Sequence, residues 1–218
     1  MTGDAHRSIV LAGATGLVGR ELLRGLLADT SVSRITVLGR KAPADADPRI
    51  EFHAVDFAHL PSLPPADECY IALGTTIKAA GSQAAFRAVD FDAVVNVAQA
   101  AKAAGASKLG VVSAMGASAK SGVFYSRVKG EMEDTLASLG FQSFVVARPS
   151  MLAGDRLALG QPVRSGEELA LKVSRWFGSL IPRNYQSIPA ASVAHALLHA
   201  VPTSKGRRVM LSGELREY

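Results

Sequence analysis

A single cysteine in 218 residues leaves no internal disulfide, which excludes the small disulfide-stapled scaffolds of secreted proteins. That residue, Cys69, lies in the apolar run Cys69-Tyr70-Ile71-Ala72-Leu73 and reads as an inert core thiol, in keeping with a reducing cytoplasm. Aromatic residues are scarce at 6 %, a composition that suits helix-on-sheet packing better than an all-β core. No uninterrupted apolar run approaches the roughly 20 residues a membrane helix needs, and the opening MTGDAHRSIVLAG has no long apolar stretch behind a basic start. Neither a membrane span nor a secretory leader is therefore expected. A basic stripe is also missing. Net charge is +5, yet the 24 Lys and Arg residues are scattered, with one tight knot at Lys205, Arg207 and Arg208. Nucleic-acid binders gather such charge on one face with aromatics between, so no nucleic-acid partner is expected. The excess suits solubility and attraction of a phosphate-bearing small molecule.

What remains is an ordinary globular balance, 48 % apolar and 20 % charged, long enough for one α/β domain and too short for two. Short apolar runs alternate with longer stretches of helical spacing. Strands are expected over residues 8–12, 34–38, 51–55, 69–73, 109–113 and 142–147, with a last one near Val209. Helices are expected over 16–28, through Phe91 to Ala101 with a stop near Gly105, over 125–139, and around 167–178 and 193–201. Such alternation implies right-handed crossovers and a doubly wound parallel sheet of Rossmann type. Residues 1–218 read as one domain, with 150–218 contributing a small substrate-side cap. The stripe Leu169, Val173, Trp176, Phe177 and Leu180 in that cap reads as core, with a substrate lid as the alternative.

The segment Gly13-Ala14-Thr15-Gly16-Leu17-Val18-Gly19 follows the first strand and opens the first helix. A dinucleotide diphosphate needs a tight turn there, a backbone without obstructing side chains, and helix amides aimed at the anion. Gly13 supplies the turn, Gly16 the close approach and Gly19 the helix-to-strand packing; Thr15 adds a hydroxyl, and Leu17 and Val18 add amides. The GxxGxxG spacing, in this strand–turn–helix context, points to the short-chain dehydrogenase/reductase superfamily. An acidic residue ending the second strand would select NAD; this chain instead has Arg40 and Lys41, which suit the extra phosphate of NADP(H). Asp56 and Phe57 follow the third strand, where Asp56 either accepts from the adenine amino group or caps a helix. Leu73, Gly74 and Thr75 end the fourth strand beside the adenosine and ribose.

Tyr125 and Lys129 stand one helical turn apart and share a face. A phenol is a poor acid–base group at neutral pH, and a neighbouring ammonium together with a positive nicotinamide favours its ionised form. The pair is therefore read as catalytic, with Lys129 also reaching the nicotinamide ribose. The likeness to short-chain dehydrogenases/reductases implies a serine at the end of the fifth strand that orients a substrate carbonyl; Ser113 takes that place unless backbone groups satisfy it, Ser118 is the alternative, and Ala114 stands where such relatives commonly carry a second serine.

These residues, with VLGRK, LGTT at 73–76, FRAVDFD, SAMGAS, FYSRVKGEME, ARPSMLAGDR and RWFGSLIP, closely resemble the Tat-interacting-protein oxidoreductase family, an atypical short-chain dehydrogenase/reductase group. The resemblance runs through nearly the whole chain. It implies an NADPH-binding Rossmann domain with Tyr125 and Lys129 at the nicotinamide and Arg148-Pro149 lining the pocket. It leaves two functions in view: reduction of a small carbonyl substrate, or a cofactor-sensing role read by a regulatory protein partner.

Overall fold

β1 (Arg7–Ala12) shows why the sheet needs cover on both faces: Ile9 and Leu11 point into one core, Val10 and Ala12 into the other, and all four are buried. The computed structural model describes residues 6–153, 184 and 186–218. Within them β2 (Val32–Gly39), β3 (Ile50–Ala54), β4 (Glu68–Ile71), β5 (Lys108–Val112), β6 (Ser143–Arg148) and β9 (Gly206–Leu211) join β1 in one sheet, ordered β3-β2-β1-β4-β5-β6-β9 and parallel throughout. A second, two-stranded parallel pairing links β7 (Leu152–Ala153) to β8 (Ile188–Pro189).

α1 (Leu17–Ala28) and α6 (Ala190–Thr203) cover one face through Leu22, Leu23, Leu26, Val193 and Leu197. On the other face lie α4 (Val94–Ala103) and α5 (Phe124–Ser138), with Val94, Val97, Ala98, Met132 and Leu136 buried against the strands. Three short helices complete the described part: α2 (Ile77–Ala80), α3 (Gln83–Arg87) and α7 (Ser212–Leu215). The doubly wound parallel architecture is thus as the sequence implies.

Three expectations are refined. The fourth strand ends at Ile71, two residues early, because the turn at Gly13 passes directly against the Ala72 carbonyl. The helix expected through Phe91 to Ala101 starts earlier, at Gln83, and carries a wide π turn over Ala88–Ala93 before it ends at Ala103. Not all of 150–218 is cap: β9 adds the seventh strand and α6 packs on α1. The helix expected around 167–178 and its apolar stripe lie outside the described residues.

β1 connects to β2 on one side, while the chain crosses to β4 on the other. In an open parallel sheet this reversal of strand order leaves a crevice at the C-terminal ends of the two strands, and the candidate site lies there.

Candidate functional site

Gly13 makes the turn out of β1 at φ +90°, a left-handed conformation that L side chains rarely adopt. A Cβ on Gly19 would lie 1.9 Å from the Gly13 carbonyl oxygen, so the first turn of α1 closes on β1 only without side chains. Gly16 is the N-cap of α1 and provides no side-chain cap. Among the described residues no acceptor meets the N–H groups of Leu17, Val18 or Gly19, which leaves the positive end of a 12-residue helix open. A Cβ on Gly16 would come no closer than 3.4 Å to protein atoms. Its bare backbone lines a cleft without being forced to by packing. Uncapped amides and a side-chain-free rim are what a diphosphate requires.

Two cavities meet at Gly16, Ala72, Leu73 and Gly74. The larger, about 630 Å³, is lined by Gly13, Thr15, Arg40, Val55, Asp56, Phe57 and Val89, among others. Arg40 is exposed at this cavity and has no ion-pair partner among the described residues. Lys41 is exposed and absent from the described lining. No helix follows Asp56. Its carboxylate accepts from the Ala58 N–H at 3.0 Å and meets His59 at 3.4 Å, which together hold it below the usual carboxylate range.

The smaller cavity contains Leu17, Val18, Thr75, Asp90, Ser113, Ala114, Tyr125, Lys129, Pro149 and Ser150 in its lining. Tyr125 sits in the first turn of α5 with its ring 5.4 Å from that of buried Phe86. Lys129 follows one turn later and is buried. Its Nζ meets Asp90 Oδ1 at 2.8 Å, and Asp90 Oδ2 accepts from the Thr75 N–H at 2.8 Å. Asp90 comes from the π turn, a helix defect frequent at functional sites. Sequence reasoning missed Asp90 as a site residue. Its signal was an acid on the stripe Phe86, Asp90, Val94 and Val97, where helical spacing calls for an apolar residue.

Ser113 lines the same cavity, but its hydroxyl donates to Glu133 Oε1 at 2.6 Å rather than to a backbone group. Glu133, one turn beyond Lys129 on α5, is fully buried and also missed by sequence reasoning. It takes Arg148 Nε at 2.9 Å, Arg148 Nη2 at 2.6 Å and Arg207 Nη2 at 3.0 Å. Arg148 therefore departs from the expectation that it lines the pocket. The buried carboxylate claims its guanidinium, hydrogen bonding to Glu133 raises its pKa further, and of the pair only Pro149 reaches the described lining. Ser118 is exposed and accepts from the Lys120 N–H at 3.3 Å; it does not line the cavity. The loop carrying it lies so close to α5 that a Cβ on Gly130 would fall 2.1 Å from the Ala119 nitrogen. Cys69 is buried and its thiol is pushed up by desolvation, as an inert core residue should be. Among the described residues no group of His, Cys, Asp and Glu is arranged to hold a metal ion, and no helix is long and apolar enough to cross a membrane.

Residues 13–203 match the family model described as NAD(P)H-binding. Protein HTATIP2 of Rattus norvegicus is 35 % identical over 204 residues, spanning 89 % of this chain and 81 % of that protein. "Protein fmp52, mitochondrial" of Emericella nidulans is 36 % identical over 159 residues, 68 % of each chain. Among solved structures, the Bordetella bronchiseptica enzyme WbmH in complex with NAD+ superposes with a TM-score of 0.69 at 15 % identity, covering 97 % of this chain and 78 % of that one. A short chain dehydrogenase family protein from Francisella tularensis gives 0.68 at 11 % identity, over 96 % and 99 %. These two likenesses speak for the fold. The sequence matches go further: the chain belongs to the NAD(P)H-binding family, in the branch of the Tat-interacting-protein oxidoreductases.

Proposed function

We propose that the protein is an NADP(H)-dependent oxidoreductase that reduces a small carbonyl compound, with Tyr125 as proton donor. The observation that carries this reading is the placement of Tyr125 and Lys129 in one cavity with the open amide end of α1. The amides of Leu17 and Val18 would hold the diphosphate, with Gly13, Thr15, Gly16 and Gly19 shaping the turn. The guanidinium of Arg40, without an ion-pair partner among the described residues, would take the extra phosphate of NADP(H), a planar fork suited to that oxyanion. Phe57 and Leu73 would wall the adenosine side, Asp56 would stand beside the adenine, and Gly74 and Thr75 would face the ribose.

A reduced nicotinamide held in this cleft would supply the hydride that the substrate carbon takes. Tyr125 gives its hydroxyl proton to the carbonyl oxygen, forming the alcohol. Lys129 has three N–H donors; one is held by Asp90, and the others would serve ribose hydroxyls and the tyrosine oxygen. Tyr125→Phe is expected to lower carbonyl-dependent NADPH oxidation about 100- to 10,000-fold while NADPH affinity by calorimetry stays unchanged. Wild-type turnover in that variant would end the assignment.

A second reading has its own support. Ala114 offers no hydroxyl, and Ser113 already gives its proton to Glu133, so neither side chain has an O–H free to orient a carbonyl. An NADPH-sensing protein read by a partner would need none. NADPH oxidation well above background in a screen of small aldehydes and ketones would remove that alternative. We place the protein in the cytoplasm; fractionation of cells carrying the tagged chain checks this against the mitochondrial placement in the fungal relatives' names.

A further inference from the structure

A lysine beside a catalytic tyrosine is ordinarily a net positive charge. Here it is not. Lys129 and Asp90 are both buried, with side-chain exposures of 4 % and 2 %, and they meet at 2.8 Å. Asp90 is fixed from its other oxygen by the Thr75 N–H, so it cannot turn away without losing a second bond. It lies buried within the π turn at Ala88–Ala93.

We propose that Asp90 is a positioning residue that holds the Lys129 ammonium and cancels its charge toward Tyr125. The inference rests on the reading of Tyr125 as the acid. Among the described residues, the other charged groups that α5 brings near this face are paired. On α5, Glu133 is held by Arg148 and Arg207, and Glu131 meets Arg87 of α3 at 2.5 Å and Arg127 at 4.0 Å. Asp92, in the π turn, is exposed, and neither α1 nor the loop after β5 adds a charge to the described lining. Among the described residues, Asp90 and Lys129 are thus the charged pair in this cavity lining. An ion pair of zero net charge at short range leaves only a dipole, whereas removing either partner leaves a full charge in a poorly solvated cleft.

The test is a double-variant cycle read by ultraviolet titration of the Tyr125 phenolate, each protein measured against its own Tyr125→Phe counterpart, with no NADPH or substrate present. Asp90→Asn leaves the ammonium uncompensated and should lower the ionisation midpoint by about one pH unit. Lys129→Met leaves the carboxylate and should raise it by a similar amount. Asp90→Asn combined with Lys129→Met should return close to wild type. Single variants that shift the same way or not at all, or a double variant displaced as far as either single one, would overturn the proposal. Should the singles fail to fold, the double variant decides: a midpoint within about half a unit of wild type supports charge cancellation, and a larger displacement refutes it. The titration needs no turnover, so an enzyme without measurable carbonyl reduction leaves this outcome readable.

Discussion

The two ends of the sheet each bury a carboxylate beside a cation, and they use it differently. At the N-terminal ends of the strands, Glu68 opens β4 and is fully buried. It takes two bonds from Arg7 Nη1 at 3.0 Å each and one from the Tyr70 hydroxyl at 2.8 Å, with Lys108 Nζ at 3.5 Å. Arg7 in turn bonds Asp29 and, at 3.1 Å, Ser31. Both carboxylate oxygens are occupied by groups from the opening residues of three neighbouring strands. At the C-terminal ends, Asp90 has one cation and one amide, and its lysine lies on a cavity wall with donors to spare. The first arrangement closes on itself and ties strands together. The second is open toward the cleft, so Lys129 keeps donors facing the cavity. Glu68 and Asp90 are each satisfied on both oxygens, but only the pair at the C-terminal end has donors facing a cavity.

Breaking the closed end should give the largest effect. Glu68→Ala strands Arg7, Lys108 and the Tyr70 hydroxyl together and should cost about 3–5 kcal/mol in urea denaturation, while the folded fraction binds NADPH with wild-type affinity. A loss of both in proportion would mean that the two ends are not independent. Next comes the open end: Arg40→Ala should weaken NADPH about 10- to 100-fold by calorimetry and leave NADH nearly unchanged, since a charge-assisted bond to phosphate is worth about 1.5–3 kcal/mol. Equal weakening of the two cofactors would take the extra phosphate away from Arg40.

The pH dependence separates the ends further. Burial first, and the Glu68 carboxylate second, push the Tyr70 phenol well above its ordinary value. The folded chain then holds that proton at pH values where the unfolded chain has released it. The contribution is complete below about pH 10, the ordinary phenol value, and is lost as pH rises through the folded one. Denaturation midpoints should therefore fall above that point, and Tyr70→Phe should flatten the fall. The smallest effect belongs to Lys41→Ala. An exposed cation off the described cavity lining should change NADPH affinity less than about threefold by the same calorimetry.

Much of this was legible from residue order. The strand–turn–helix run at Gly13 to Gly19 specifies its geometry within seven residues, because each glycine answers a local steric demand. Tyr125 and Lys129 share a face because four residues make one helical turn. Arg40 and Phe57 could be placed at the mouth from the lengths of β2 and β3. Asp90, Glu133 and the fate of Ser113 and Arg148 were not legible in the same way. Lys129 finds its acid 39 positions earlier, and Arg148 and Arg207 find theirs 15 and 74 positions away. No local rule links such residues; they become partners only when helices are laid on a sheet.

By itself, then, the order of residues determined the alternation of strands and helices, the glycine turn, the cationic residue after β2 and the tyrosine–lysine face, all of which depend on periodicity and short-range sterics. Tertiary packing decided which charges neutralise each other. It gave Lys129 an acid partner from a π turn, diverted Arg148 to Glu133, and committed the proton of Ser113, because burial penalises any unpaired charge and forces each to the nearest complement the fold supplies.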